Sequence, residues 1–324
     1  MRILPSLMKI NILLVSVTLI LAFACRKKKI QEIALSEPQE LVVDGTIETG
    51  LNPIVILSRS SDIYSPTDLE SFLQNFVYSA ALKVVNQLDT IDLELKAIGD
   101  LDITHQKKLA EMLGLKKLKK VLELPLLVYT TNSIVGAINQ SYELIIDHNA
   151  NRYTGTTYIP EATALDELYW NIEPGSTEYG YSWAKLSDPA NQYDAYKWEV
   201  KRTNVKDDGT LKDDIFMRSN DCYFDDEFCD GLSFDFSYES PVPRRDSTHL
   251  QEFKRFYRLG DTLVVKFSKL DQNVYEFYRC KAHQISNAGN PFATPINIPS
   301  NMSEGALGIW AGYSPIYDTL YCYP

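Results

Sequence analysis

Hydrophobic and polar residues alternate in short runs along most of the chain from residue 39 onwards. Runs rich in β-branched and aromatic residues that end at glycine, proline or asparagine are typical of β-strands. Turn sequences between such runs predict three hairpins, at 41–47 with 54–58, at 142–146 with 153–159, and at 253–258 with 262–267. The other predicted strands lie at 81–85, 90–95, 126–129 and 196–201. The pattern therefore predicts a mainly β protein.

Helical spacing interrupts this rhythm in two places. Residues 104–122 repeat leucine and methionine at intervals of three and four and carry four lysines between positions 116 and 120, which predicts a short amphipathic helix inserted into a sheet. Gly114 weakens this prediction, because an interior glycine costs about 1 kcal/mol relative to alanine. We expect this helix to cover a sheet edge or to dock on a membrane or partner. Asp271 can cap a second helix that runs to about Ile285.

The length of the chain favours two domains, since about 300 residues exceed one comfortable hydrophobic core. Pro160 follows the second predicted hairpin and marks the expected boundary. We predict an N-terminal immunoglobulin-like β-sandwich at 39–160 with the helical insertion near 104–122. A second β-rich, α+β domain is predicted at 161–324.

The first 24 residues have the layout of an export signal. Basic Arg2 and Lys9 precede an apolar run at 10–21, which is shorter than the roughly 20 residues of a membrane span. The run leads to Leu21-Ala22-Phe23-Ala24-Cys25, which resembles the bacterial lipobox. By this resemblance Cys25 becomes lipidated, the signal is removed, and residues 25–38 form a tether. The alternative is an uncleaved N-terminal anchor.

The charge of the chain limits its partners. The net charge is −11 at pH 7 and becomes −13 once the two basic residues of the signal are removed. An acidic body argues against nucleic acid as a partner, because phosphate binding requires clustered lysine and arginine. The expected partners are the membrane, through the lipid anchor, and a small ligand of unknown identity.

Four cysteines remain after the lipidation residue. An exported protein enters an oxidising compartment, where cysteines pair. Loop closure favours Cys222 with Cys229 and leaves Cys280 with Cys322, although four cysteines allow three pairings. A zinc site is the competing interpretation, but the spacing fits poorly with the close pairs that zinc sites use.

The sequence contains no catalytic motif that we recognise, and it predicts no cofactor. None of the four histidines lies in a metalloprotease motif, and no nucleophile elbow or phosphate-binding loop is present. An acidic stretch offers weak calcium candidates at Asp225, Asp226 and Asp230, for which a solvated loop is the alternative. We therefore expect a protein that is not an enzyme.

A proline- and glycine-rich segment near the C-terminus carries a family resemblance. Together with the lipobox and with residues 41–48 and 153–160, it is similar to the domain-of-unknown-function 4249 family of Bacteroidota lipoproteins. Its family-like residues are Asn290, Pro291, Phe292, Pro295, Pro299, Asn301, Gly305, Gly308 and Tyr313. Members are often encoded beside TonB-dependent receptors, so the resemblance implies a role in nutrient uptake at the outer membrane.

These observations predict an outer-membrane lipoprotein that acts as a binding or accessory module, with a TonB-dependent receptor as a candidate partner. Whether it faces the periplasm or the cell surface stays open. One alternative is a lipid-anchored hydrolase of glycans or peptides that uses carboxylates, and another is a purely structural envelope protein.

Overall fold

A computed structural model describes residues 39–61, 69–241, 255–287, 294 and 296–323. The predicted signal, the tether and Cys25 lie outside these residues. Fifteen strands and four α-helices are described: β1 Leu41–Glu48, β2 Ile54–Arg59, α1 Leu69–Gln74, β3 Ala81–Val85, β4 Thr90–Ala97, α2 Ile103–Met112, α3 Leu118–Leu122, β5 Leu127–Thr130, β6 Gln140–His148, β7 Asn151–Ile159, β8 Glu167–Ile172, β9 Tyr179–Ser187, β10 Ala195–Arg202, β11 Met217–Asp225, β12 Ser233–Tyr238, β13 Tyr257–Arg258, β14 Thr262–Leu270, α4 Gln272–Ser286 and β15 Ala306–Tyr321.

The predicted mainly β fold is confirmed. Eleven strands form one sheet in the order β11-β10-β14-β15-β1-β2-β5-β4-β3-β6-β7. Strand β15 is 16 residues long and is the fourth strand in this order, between β14 and β1. Its first half pairs in parallel with β1, and its second half pairs antiparallel with β14. The parallel contact requires glycine at Gly308, because its φ is +102° and a Cβ atom there would collide with the backbone carbonyl of Val43.

The β1–β7 part of the sheet curls until β7 lies against β15. Gly312 N–H donates to Thr157 Oγ1 over 2.7 Å, and an isolated bridge joins Gly155 to Met302. Trp310 is fully buried inside the curl, and its indole N–H donates to the carbonyl of Tyr142 over 3.0 Å. The curled sheet therefore encloses a hydrophobic core that includes Trp310, Tyr142 and Leu144.

A second core lies on the other half of the main sheet. A smaller sheet, in which β9 pairs with β8, β12 and β13, supplies part of its hydrophobic residues. Aromatic rings fill the core: Trp198 of β10 lies 5.6 Å from Phe236 and 6.3 Å from Phe267, centroid to centroid. Helix α4 adds Val274 and Phe277, and Asp271 caps it as predicted by accepting from Val274 N–H over 2.9 Å.

Residue 160 is not a break in the main sheet. Residues 39–324 form one compact unit, and β15 is paired both with β1 of the first half and with β14 of the second half. Whether the halves 39–160 and 161–324 fold as separate domains stays a prediction.

Two predicted elements differ from the structure. The helix predicted at 104–122 consists of α2 and α3, separated at Gly114, whose φ is +67°. Gly114 N–H donates to the Glu111 carbonyl and Leu115 N–H to the Ala110 carbonyl, which is the Schellman arrangement that ends a helix at glycine. None of the helices in the described ranges has the length and apolar character that a membrane span requires.

The hairpin predicted at 253–258 with 262–267 is wrong. Within the described residues, β13 pairs with β9 of the small sheet, whereas β14 pairs with β10 and β15 of the main sheet. The turn sequence at Gly260-Asp261 is present, but it passes the chain from one sheet to the other.

Candidate functional site

Charged residues lie side by side across four strands on one face of the main sheet. The strand register places Arg218 of β11 opposite Glu199 of β10, Glu199 opposite Lys266 of β14, and Lys266 opposite Tyr317 of β15. Side chains on directly opposite residues are within contact distance of each other. The register therefore builds a row of alternating charge that ends at a tyrosine.

Helix α2 covers this row and adds two more charged residues. Lys108 Nζ lies 2.8 Å from Glu48 Oε2, and Lys266 Nζ lies 2.9 Å from the same oxygen. Glu111 approaches Lys266 from the helix at 3.9 Å. The side chains of Lys108, Lys266 and Glu48 are only 6%, 2% and 3% exposed. The two lysines and Glu48 thus form a charged cluster of three side chains that is buried between the helix and the sheet.

The ion pairs determine the protonation of the buried groups. Burial alone would raise the pKa of Glu48, but Lys108 and Lys266 lower it to about 2. Lys197, 2.8 Å from Glu199, acts with Lys266 to lower the pKa of Glu199 to about 2 against the effect of burial. Burial raises the pKa of Glu111, and the negative charge of Glu199 raises it further. The site therefore contains two ionised carboxylates and one carboxyl group that holds its proton more tightly.

The ring of Tyr313 lies next to three lysine ammonium groups. Lys108 Nζ lies 4.4 Å from the centroid of its ring, Lys197 Nζ lies at 5.2 Å, and Lys266 Nζ lies at 5.8 Å. An aromatic face attracts cations most strongly where water is excluded, and Tyr313 is 2% exposed. The tyrosine thus lowers the free energy of three lysines that share a small volume.

Two clefts open on either side of Lys108 and Glu111. The larger cleft has a volume of about 340 Å³. We call it the lysine cleft; its lining includes Lys107, Lys108, Lys201, Lys266, Phe216 and Tyr317. The smaller cleft, of about 220 Å³, is bordered by Lys197, Glu199, Arg218 and Tyr278. The larger volume is within the range of small-molecule sites.

The weak calcium candidates do not form one site. Asp226 lies with Asp188 and Asp194, and one ligand atom from each of the three lies within 4.8 Å of the others. Asp194 is already paired with Lys269 Nζ at 2.7 Å, and Asp188 accepts from Tyr196 Oη at 2.7 Å. These oxygen atoms have protein donors that a cation would have to displace.

The two other candidates are not members of this group. Asp225 accepts from Tyr193 Oη at 3.5 Å, and Asp230 accepts from Asn191 N–H at 2.8 Å. Of the three predicted carboxylates, only Asp226 is therefore in the buried group.

Neither disulfide predicted from spacing is present in the structure, in which Cys222, Cys229, Cys280 and Cys322 are free. Cys222 is buried in β11, and burial raises the pKa of its thiol to about 12. Cys229 Sγ lies 3.9 Å from the carbonyl oxygen of Asp225, which is three strand residues, roughly 10 Å, beyond Cys222. The Cys229 thiol beside Asp225 is therefore farther from Cys222 than a disulfide allows.

The second predicted pair is separated by the length of a strand. Cys322 is held at the start of β14, where its N–H donates to the Asp261 carbonyl over 2.8 Å. Helix α4 begins after the other end of β14, roughly 27 Å away for nine strand residues. Eight helical residues return only about 12 Å, so Cys280 does not reach Cys322.

The family-like segment has a structural role where it is described. The side-chain amide of Asn301 donates to the carbonyls of Thr156 and Trp310, at 3.0 and 2.7 Å, and its oxygen accepts from Trp310 N–H at 2.9 Å. Asn301 therefore joins β7 to β15. Gly305 has a φ of +88°, as the turn before β15 requires, and Pro299 is partly buried in the loop before it. Asn290, Pro291, Phe292 and Pro295 lie outside the described residues.

Sequence reasoning found Tyr313 but missed the charged residues around it. The signal was present in β10, where Lys197, Glu199 and Lys201 alternate with the buried residues Trp198 and Val200. Alternation of this kind ordinarily indicates a solvated face. The buried position of Glu48, at the very end of β1, has no signal in the sequence that we can identify.

Comparisons with known proteins identify the family. No curated protein and no solved structure matches the chain. Residues 28–315 match the family model described as "Domain of unknown function (DUF4249)", a range that includes Arg218, Glu199, Lys266, α2 and Asn301 and ends before Tyr317. The chain therefore belongs to the DUF4249 family.

Proposed function

We propose that this protein is an outer-membrane-anchored lipoprotein that acts as a binding or accessory module in TonB-dependent uptake. The lipobox-like sequence ending at Cys25 and the tether at 25–38 support the anchor. The similarity to Bacteroidota lipoproteins that are encoded beside TonB-dependent receptors supports the link to uptake.

The buried charged face under α2 is the observation that carries the binding role. Burying an ion pair costs desolvation energy that its own attraction often fails to offset, and hydrophobic residues of similar volume give equal or greater stability. A buried ion pair is therefore weak evidence for a stabilising role of Glu48, Lys108 and Lys266. Charged groups at the wall of a cleft are instead suited to orienting a ligand.

Lipidation is tested by comparing the natural chain with Cys25→Ser in a bacterial host that processes lipoproteins. We expect the natural chain in the outer-membrane fraction, with a mature N-terminal peptide that begins at Cys25 and carries the mass of the acyl groups. The Cys25→Ser protein should lose both properties, and digestion of intact cells with protease reports which side the body faces. Identical fractionation of the two proteins would reject the anchor.

The uptake role is tested by gentle extraction and affinity purification of the anchored protein. Recovery of a TonB-dependent barrel, together with slower growth of a deletion strain on a defined nutrient, would support it. A protein that stays monomeric and whose deletion leaves growth unchanged would instead favour a structural envelope role.

Hydrolysis is a second candidate, and one observation favours it. Glu48 and Glu111 both line the lysine cleft, and their pKa values are shifted in opposite directions, to about 2 for Glu48 and upwards for Glu111. Two carboxyl groups with separated pKa values are the arrangement used in glycoside hydrolysis. Turnover of a glycan panel that is lost in Glu111→Gln would support this function, and absence of turnover by the natural chain would reject it.

A further inference from the structure

The lysine cleft is basic although the protein is acidic. Four lysines line the cleft against three acidic residues, Glu48, Glu111 and Asp214, while the whole chain has a net charge of −11. The charge of Asp214 is already matched by Lys117 at 3.7 Å. The cleft therefore has an excess of positive charge, and a concave site of one sign concentrates ions of the opposite sign.

Two of the lysines have no carboxylate partner. Lys108 and Lys266 share Glu48, but within the part of the chain that the structure describes neither Lys107 nor Lys201 forms an ion pair. Lys201 is half-buried, and its ammonium group lies 4.7 Å from the centroid of the Phe216 ring. Burial lowers the pKa of Lys201 and the charge of Lys107 lowers it further, while the charges of Glu111 and Asp213 act in the opposite direction. An anion placed beside both lysines would relieve this repulsion.

Two aromatic residues line the cleft beside the lysines. The rings of Phe216 and Tyr317 lie 5.7 Å apart, centroid to centroid, at an interplanar angle of 50°. The Tyr317 side chain is 54% exposed and is therefore accessible to a ligand. Rings at this spacing offer a flat apolar group a surface for stacking. The cleft thus combines ammonium groups with aromatic rings beside them.

We propose that the lysine cleft binds a small organic anion, with its charged group beside Lys107 and Lys201 and its apolar part on Phe216 and Tyr317. This inference rests on the proposed binding function and specifies its ligand class. The volume of about 340 Å³ suits a molecule of one or two rings rather than a polymer.

Phenyl phosphate and benzoate are suitable probes, because each joins one ring to one anionic group. Benzyl alcohol is the neutral control, and inorganic phosphate is the control for the charged group alone. Titration of the full chain by calorimetry and by ligand-observed nuclear magnetic resonance should show the aromatic anions binding at least about tenfold more tightly than either control, with affinity falling as salt is added. Equal binding of benzyl alcohol would overturn the inference.

Lys201→Met removes one ammonium group but keeps most of the side-chain volume. We expect it to weaken binding of phenyl phosphate by about tenfold or more, the effect of one charged contact. Lys201→Arg should retain binding, and Lys119→Met on α3, an exposed lysine away from the cleft, should leave it unchanged. If Lys201→Met does not fold, Lys107→Met on the surface of α2 provides the same comparison. Binding by the methionine variant as tight as that of the natural chain would overturn the inference.

These outcomes are separable from those that test the proposed function. The Lys201→Met protein should still fractionate with the membrane and still recover a receptor barrel, because Lys201 is distant in sequence from the tether. Loss of anchoring in the natural chain with intact binding of phenyl phosphate would reject only the envelope role. Recovery of a barrel by a chain that binds no aromatic anion would reject only the ligand class.

Discussion

Glu48 holds two ammonium groups together in the interior of the protein. Its carboxylate oxygens lie 2.8 to 3.1 Å from Lys108 and Lys266, which come from a helix and from a strand more than 200 positions along the chain. Each ammonium group has lost most of its water, so the carboxylate is the main compensation for both charges. The residue therefore links α2 to the sheet.

We expect Glu48→Gln to lower the free energy of unfolding by about 3 kcal/mol or more at pH 7, because it leaves two buried positive charges facing each other. Urea titration followed by circular dichroism measures the loss. Asp147→Asn is the matched control: it breaks an exposed ion pair with Arg152 and should cost less than about 1 kcal/mol. Similar losses for the two variants would contradict the assigned role of Glu48.

The pH dependence of stability gives a second measurement on the same residue. The pKa of Glu48 is about 2 in the folded protein, below the value of about 4.3 expected for an unfolded chain. Its contribution is therefore complete above about pH 4.3 and is lost as the pH falls towards 2. The natural chain should lose stability more steeply than Glu48→Gln over this range. Parallel pH profiles would indicate that Glu48 is not ionised in the folded protein.

At the scale of elements, the side chain of Asn301 connects the backbone of β7 to the backbone of β15. Its three side-chain hydrogen bonds connect the backbone at Thr156 to the backbone at Trp310. Trp310 itself is 0% exposed, so the bonds lie over the first core. The loop that carries Asn301 thus closes the curled sheet where β7 and β15 are not paired along their length.

We expect Asn301→Ala to lower the free energy of unfolding by about 2 to 3 kcal/mol, since three hydrogen bonds are lost and the Trp310 backbone is left without a partner. The near-ultraviolet circular dichroism band of Trp310 should weaken as well. Asn151→Ala, at the exposed first residue of β7, should change stability by less than about 0.5 kcal/mol. A loss below about 1 kcal/mol for Asn301→Ala would show that the closure does not depend on this side chain.

Local signals explain which elements could be predicted from the sequence. The β1–β2 and β6–β7 hairpins and the cap of α4 depend on residues close in the chain, and all three are confirmed. Strands β11 and β12 were missed, because their acidic and polar residues are typical of a loop, although β12 packs Phe234 and Phe236 against the second core. The pairing of β13 with β9 joins residues far apart in sequence, which a turn pattern does not encode.

The candidate site was not predictable for a related reason. The alternating polar face of β10 is the pattern of a strand with one solvated face, and only the tertiary arrangement places α2 and α4 over it. Burial of Lys197 and Glu199 is therefore a property of the assembled sheet and helices. The sequence predicted a helix that covers a sheet edge, whereas α2 lies over the face formed by interior strands, and Lys108 and Glu111 had no predicted partners.

At the scale of the whole molecule, β15 is hydrogen-bonded to strands from both halves of the chain. It pairs with β1 through Tyr313 and with β14 from Tyr313 onwards, so one strand contributes Trp310 to the first core and Leu320 to the second. Separating the halves would require breaking one of these ladders and exposing its backbone groups. We therefore expect residues 39–324 to unfold as one cooperative unit, although chains of this length often unfold in stages.

A substitution in one core should consequently destabilise the other half. Val84→Ala in β3 removes buried volume from the first core and should cost roughly 2 kcal/mol, and Val265→Ala in β14 does the same in the second. Pulsed hydrogen exchange in urea, read by mass spectrometry on peptides covering 140–148 and 195–202, reports the two halves separately. Each variant should lower the unfolding midpoint of both peptides equally, whereas Val205→Ala, which is 62% exposed, should shift neither. If Val84→Ala shifted only the peptide from 140–148, the chain would consist of two independently folding domains that meet near residue 160, and the shared strand would not couple them.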